Sequence, residues 1–293
     1  MVGQDEIVAV LKELAKKDHP PPMLFSGPSG VGKTTAAHCF AAEIKWPIIE
    51  INASDDRGIN VIREDVKNNA RLAYKKVIYL SEADYLTSDA QPALRRTMEK
   101  YGESTVFILS VNYLHRIIEP IQSRCAKFVF NKLDKRTIIT QLVKICKTEN
   151  VPYNAAEAKK ALVQIAEMTN GDLRKAINIL DAVISSSGTI TEAEVLMQQK
   201  PLFAKEALDL ALSGDFDNAR IKIEECYAQT GYSTDEICSE LYKALKEIPQ
   251  TGRRLRLYDR LADIEYHCKI GCDAIIQLVS FMAYIAASGA MQE

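Results

Sequence analysis

Gly27-Pro28-Ser29-Gly30-Val31-Gly32-Lys33-Thr34 decides the fold. The octet fits G-x-x-x-x-G-K-[ST], which marks a phosphate-binding loop when it joins a strand to a helix. That context is present: Met23-Leu24-Phe25 is a short apolar run before the loop, and Lys33 to Glu43 reads as a helix after it. Glycines let the backbone curl so that successive N–H groups converge on phosphate oxygens. The helix N-terminus adds partial positive charge. Lys33 can reach the outer phosphates, and Thr34 can offer its hydroxyl to Mg²⁺. A plain Gly-rich turn before a helix is the alternative, and the complete motif in its strand–helix setting argues against it.

Working outward from the loop, apolar runs alternate with helical stretches. Ile48–Ile51, Val77–Leu80, Thr105–Ser110 and Lys127–Phe130 read as strands. Asn60–Tyr74 and Asp89–Tyr101 read as helices. The alternation predicts an α/β fold, a parallel sheet with helices on both faces. After Leu133 the strand signals stop. Asp134–Thr148, Ala155–Thr169 and Asp172–Ser186 carry apolar residues at helical spacing, with a break at Asn170-Gly171. Beyond Pro201, breaks at Ser213-Gly214, Gly231, Pro249 to Gly252 and Gly271 leave about five more helices. The expected organisation is a nucleotide-binding core over 1–132, a three-helix unit over 133–195 and an all-α domain over 196–293.

The 293 residues allow two or three domains. Hydrophobic residues at 47% and charged residues at 26% exclude a disordered or collagen-like chain. The net charge of −2 excludes a polycation, so any nucleic-acid contact must come from a local patch. The mildly basic part is at the front: residues 1–132 hold 18 Lys+Arg against 16 Asp+Glu, and residues 196–293 hold 11 against 15. Seven cysteines are scattered, and Met1 leads straight to Gln4-Asp5-Glu6 without an apolar leader. A reducing, intracellular setting is expected. Cys268 and Cys272 are spaced for one helix face, lack the four ligands a zinc site wants, and are expected in the core. Ala274–Met291 is uncharged but short for a bilayer span of ~20 residues, so a buried packing helix is expected there and no membrane contact.

The second element of a nucleotide triphosphatase is an acid pair at a strand end. Here Val77–Leu80 is followed by Ser81-Glu82-Ala83-Asp84. Ser81 stands where an Asp would help hold Mg²⁺, and a hydroxyl brings no charge to offset the dication. Weaker Mg²⁺ binding and slower hydrolysis are expected. Glu82 occupies the place of a water-activating carboxylate. Asp84 is either a partial substitute for the missing acid or a helix-capping or salt-bridged residue. Asn112 ends the next strand, where an amide can bond a γ-phosphate or the attacking water. Arg124 lies just past a helical stretch at Ile117–Gln122, and Arg174 opens a helix of the second unit. Each is either a solvated helix-end charge or a group that reaches phosphate.

Together these residues resemble the small subunit of replication factor C, the sliding-clamp loader within the AAA+ ATPases. The segments that carry the likeness are Ser26–Thr35, Ile51–Ile59 (INASDDRGI), Ala90–Tyr101 (AQPALRRTMEKY), Ile117–Cys125 (IIEPIQSRC) and Gly171–Leu180 (GDLRKAINIL). They cover the first ~180 residues in order and spacing, and the last third matches only as a helical collar. The resemblance implies an AAA+ core, a lid over 133–195 and an oligomerising collar. It implies ATP and Mg²⁺ as cofactors, with Gly27, Pro28, Ser29, Gly30, Val31, Gly32, Lys33, Thr34 and Thr35 cradling the nucleotide and Thr34 as the metal ligand. Glu82 would be the catalytic base, Asn112 and Arg174 the two sensors, and Arg124 a finger acting on ATP of the adjacent subunit. Arg57, Arg63 and Arg116 would face the backbone of primer–template DNA.

The implied partners are large and small loader subunits in a pentameric ring, and a sliding clamp of the proliferating-cell nuclear antigen type. The compact chain suggests an archaeal member, hence cytoplasmic; a eukaryotic one would be nuclear. Two departures stand out. Ser81 replaces the family's Asp, and the family's aromatic-Lys-Tyr-Arg-Pro segment is missing ahead of Val2, which puts tight adenine binding in doubt. Two rival readings follow. One is a structural subunit with a degenerate ATP site that acts mainly through Arg124. The other is a different AAA+ machine, such as a branch-migration motor, against which the Arg57 and Ser-Arg-Cys segments argue.

Overall fold

Among the described residues, alternation of buried runs with amphipathic stretches produces five parallel strands between residues 23 and 129. The computed structural model describes residues 2–54, 62–153, 156–197, 203–229, 233–249 and 251–290. The chain forms two compact units, Met1–Gln198 and Gln199–Glu293. The first begins with α1 (Asp5–Ala15), β1 (Met23–Ser26), α2 (Lys33–Ile44) and β2 (Ile48–Asn52). A π-helical turn, Ile62–Val66, runs into α3 (Lys67–Ala70) and then β3 (Lys76–Ser81). Next come α4 (Ala90–Tyr101), β4 (Thr105–Val111), the one-turn α5 (Glu119–Gln122) and β5 (Ala126–Val129).

The strand order is β2-β3-β4-β1-β5, with every pair parallel. Met23 aligns with Ile108 and with Ala126, and Val77 aligns with Ile48 and Val106. Alternation along the strands splits the core in two. Met23, Phe25, Val77, Tyr79, Val106 and Ile108 pack on Ala36, Ala37 and Phe40 of α2. Leu24, Ile78, Leu80, Phe107 and Leu109 pack on Leu94 and Met98 of α4. Parallel strands covered on both faces read as continuous apolar runs, which is how β1, β3 and β4 look in the sequence.

The helix expected over Asn60–Tyr74 is shorter among the described residues and ends at Ala70. Its tail is captured by a buried cation: Lys76 Nζ donates to the carbonyls of Leu72 (2.6 Å) and Tyr74 (2.8 Å). Residues 71–75 therefore wrap an ammonium instead of continuing the helix. The stretch expected helical over Ile117–Gln122 begins only at Glu119, because Ile117 and Ile118 take extended backbone, and the Ile118 N–H donates to Gln91 Oε1 at 2.8 Å.

Among the described residues four helices complete the first unit: α6 (Lys135–Thr148), α7 (Ala156–Met168), α8 (Leu173–Ser187) and α9 (Glu192–Met197). Asp134 and Asp172 cap α6 and α8 by accepting the N–H of Thr137 (2.6 Å) and Lys175 (3.0 Å). Ile138, Leu142, Ile165, Leu180 and Val183 form their shared core. Val195 of α9 is buried in it, so a short fourth helix joins the three read from periodicity.

The second unit comprises α10 (Phe203–Leu212), α11 (Phe216–Gln229), α12 (Thr234–Leu245), α13 (Thr251–Lys269) and α14 (Ala274–Ala290). Leu208, Ile223, Leu241, Leu261 and Phe281 sit in its core. The buried helix expected at the C-terminus is buried on one side only: Leu278, Phe281, Met282 and Ile285 are inside, whereas Ile276 is 65% exposed. Of the two cysteines expected in the core, Cys268 packs against it and Cys272 departs from expectation. The first is half-buried and the second exposed, because α13 ends at Lys269 and the turn at Gly271 separates them. Among the described residues no helix is long and apolar enough to cross a membrane.

Candidate nucleotide site

The strand order places the carboxyl ends of β1, β4 and β3 side by side. Open parallel sheets bind ligands at such ends. The segments that follow these strands are the phosphate loop, Asn112 and Ser81-Glu82. They meet in a cavity of ≈ 660 Å³ together with Arg174. The loop contributes Ser29 to Thr35 to its lining.

Gly27, Gly30 and Gly32 take φ of 149°, 71° and 100°. At Gly30 the requirement is twofold, since a Cβ there would come within 1.7 Å of Asp172 Oδ1. The Leu173 N–H donates to Gly30 O at 3.2 Å, so α8 seats directly on the loop. Lys33 Nζ donates to Gly27 O, to Pro28 O (2.8 Å) and to Asn112 Oδ1 (2.9 Å). Burial pulls its pKa from 10.5 down to about 8, against the opposing pull of the Asp84 carboxylate. The ammonium is thus held among neutral acceptors at the floor of the cavity, where polyphosphate oxygens would strengthen its charge.

Ser81 and Asn52 pair in register on neighbouring strands, and both line the cavity. Glu82 lines it from a left-handed backbone, φ 54°. Asp84 is not among the residues that line the cavity. It is buried and accepts the backbone N–H groups of Asn112 (3.3 Å) and Tyr113 (3.2 Å). It holds the backbone just after β4, which presents Asn112 to Lys33, and the short helical turns at 83–85 and 114–116 carry no side-chain cap.

The fit to the expected cofactors follows from these contacts. Left-handed glycines, a helix start and a buried lysine suit a polyphosphate. An apolar wall of Val2, Val31, Leu133, Leu173 and Ile177 suits a base. For Mg²⁺ the residues supply the Thr34 hydroxyl at the helix start and no acid at the end of β3; the Glu82 and Glu50 carboxylates line the same cavity. Glu50 is paired with His38 at 3.1 Å. These groups fit a magnesium–nucleotide held chiefly through phosphate and water.

Other site candidates lie apart from the cavity. Arg124 Nε is 2.7 Å from Glu99 Oε1 of α4, and its Nη1 donates to Pro120 O at 2.8 Å. Arg116 is exposed and stacks over the rings of Tyr113 (4.7 Å) and Tyr85 (5.9 Å). Arg57 and the side chain of Arg63 lie outside the described residues.

Sequence reading missed Tyr79, Ser110, Glu50, Gln141 and Asn178, all of which line the cavity. Tyr79 could have been found: period-2 alternation puts it on the same face as Ser81. Gln141 and Asn178 reach the site only through the packing of α6 and α8, and no local pattern marks them.

Three family profiles match along the chain in order. They are the ATPase family associated with various cellular activities (residues 23–133), the RCF1/5-like AAA+ ATPase lid domain (140–184) and the replication factor C C-terminal domain (200–284). The replication factor C small subunit of Sulfolobus acidocaldarius is 42% identical, covering 98% of this chain and 91% of its own length. That of Archaeoglobus fulgidus is 38% identical over 98% of this chain and 93% of its own. Among solved structures, the RuvB Holliday junction branch migration motor of Thermotoga maritima superimposes with a TM-score of 0.59. It covers 82% of each chain at 17% identity, a likeness of fold alone. A phosphate loop seated against a lid, profiles spanning core to C-terminus and near full-length identity to small subunits converge: the chain belongs to the replication factor C small-subunit family and is an AAA+ ATPase subunit of a clamp loader.

Proposed function

We propose that this subunit binds ATP with Mg²⁺ in the cavity below α8, and that the bound nucleotide joins it to neighbouring subunits of a pentameric ring. The ring opens a sliding clamp and places it on primer–template DNA. Gly27 to Thr35 hold the phosphates, with Lys33 neutralising the outer ones and Thr34 as the hydroxyl ligand of the cation. The nucleotide supplies a scissile γ-phosphoryl bond, and the cation offsets its charge. Glu82 orients and deprotonates the attacking water, Asn112 and Arg174 sense the γ-phosphate, and Arg124 acts on the adjacent subunit's nucleotide. Arg57, Arg63 and Arg116 follow the DNA backbone, a contact that is independent of sequence and sensitive to salt. Residues 196–293 serve as the oligomerising collar. The observation that carries this reading is the Lys33–Asn112 hydrogen bond at 2.9 Å, which ties the phosphate loop to the end of β4.

A second reading is favoured by Ser81 and by the commitment of Asp84 to backbone amides. In it the subunit holds nucleotide without turning it over and works through Arg124. One experiment separates the two. Glu82→Gln in the assembled loader should retain ATP binding and lose this site's share of DNA-stimulated turnover. Undiminished turnover would reject Glu82 as a base and leave the structural reading.

A further inference from the structure

Thr34 Oγ1 lies 2.9 Å from Tyr79 Oη, and Tyr79 Oη lies 2.9 Å from Ser110 Oγ. Tyr79 is fully buried. The three hydroxyls form a chain from the first turn of α2, across β3, to β4. A threonine that ligates a cation uses an oxygen lone pair and must direct its proton elsewhere. An acid at the end of β3 would accept that proton, but Ser81 stands there. Tyr79 belongs to the same strand and sheet face, two residues earlier, and its oxygen is already within reach of the Thr34 hydroxyl.

We infer that Tyr79 is the positioning residue that orients the Thr34 hydroxyl toward a divalent cation, taking over from the missing carboxylate. Thr34 donates to Tyr79 and Tyr79 donates to Ser110, which leaves the lone pairs of Thr34 turned to the metal. The relay is neutral. It orients the ligand without adding charge, so cation binding here depends more on the nucleotide's own phosphates than it would with an ionised acceptor. This inference rests on the proposed reading of the cavity as a magnesium–nucleotide site.

The test is a double-substitution cycle on the full chain, read as the affinity of a fluorescent ATP analogue with Mg²⁺ and with EDTA. Tyr79→Phe removes one oxygen and keeps the ring. It should weaken binding about three- to tenfold with Mg²⁺, the equivalent of one neutral hydrogen bond, and leave the EDTA value unchanged. Ser110→Ala, at the far end of the relay, should shift affinity in the same direction by less. In a Ser81→Asp background, where a carboxylate can take the Thr34 proton, Tyr79→Phe should cost under about twofold. Equal losses with Mg²⁺ and EDTA would make Tyr79 a packing residue and overturn the inference, as would equal losses in both backgrounds. A wild-type chain that binds the analogue under neither condition would overturn the nucleotide-site reading and the relay together. The first two outcomes sink the relay alone.

Discussion

Asp84 gives the sharpest test of how this site is built. Its carboxylate accepts two backbone N–H groups, at 3.3 Å from Asn112 and 3.2 Å from Tyr113. Both distances are at the long end of the range, so each bond takes the low end of the charged-acceptor value, about 1.5 kcal/mol. Asp84→Ala removes both and leaves two partly buried donors unpaired, for a loss of about 3 kcal/mol. Asp84→Asn keeps one acceptor oxygen and should lose about half as much. For a unit of this size each kcal/mol moves the melting point by about 2–4 °C, so the alanine variant should melt about 6–12 °C lower. The chain's one tryptophan, Trp46, follows α2 in the same unit, with Lys75 Nζ 5.2 Å from its ring centre, so its fluorescence reports that unit's unfolding. Nucleotide affinity should fall equally with and without Mg²⁺, because Asp84 acts by placing Asn112 against Lys33. An Asp84→Asn variant that melts with the wild type and loses only the Mg²⁺-dependent part of binding would refute this and make Asp84 the missing metal-side carboxylate.

Two further outcomes follow from the geometry. Burial holds Lys33 down at about 8, so its ammonium is complete below that pH and is lost as pH rises through it. Nucleotide affinity should be highest below about pH 8 and fall by up to about tenfold per unit above it; a flat binding profile from about pH 7 to about pH 10 would reject Lys33 as the phosphate cation. In the same window the unfolded chain keeps a proton that the folded chain has released, so this group's contribution makes folding more favourable as pH rises toward 10.5. Arg124→Ala breaks the pair with Glu99 and should leave nucleotide binding by the isolated chain unchanged. In the assembled loader it should cut turnover at the adjacent site by about 10³-fold or more, and Arg124→Lys should not restore it, since a point charge lacks the guanidinium fork. Single-site turnover in the complex measures both.

Much of the fold was legible because its signals are local. The strand–loop–helix of residues 23–44 follows from an apolar run, three glycines that must take positive φ and a lysine at a helix start. The helices expected from Asp134 and from Asp172 start where those side chains bond amides three residues on. Where a side chain or a turn a few residues on intervened, helical periodicity overran. The helix before β3 stops at Ala70 because Lys76 claims the carbonyls that follow. Cys272 is exposed because the chain turns at Gly271, between two residues that spacing alone would stack.

The candidate site divides in the same way. Residue order alone determined the phosphate loop, the Glu82 and Asn112 positions and the absence of an acid at residue 81, since each is a residue type at a fixed offset from a strand end. Tertiary structure alone decided what Asp84 bonds, where Arg124 rests and that Tyr79 meets Thr34. Those contacts join segments up to 45 positions apart along the chain, and hydrogen bonds form by distance in space, which linear spacing does not encode.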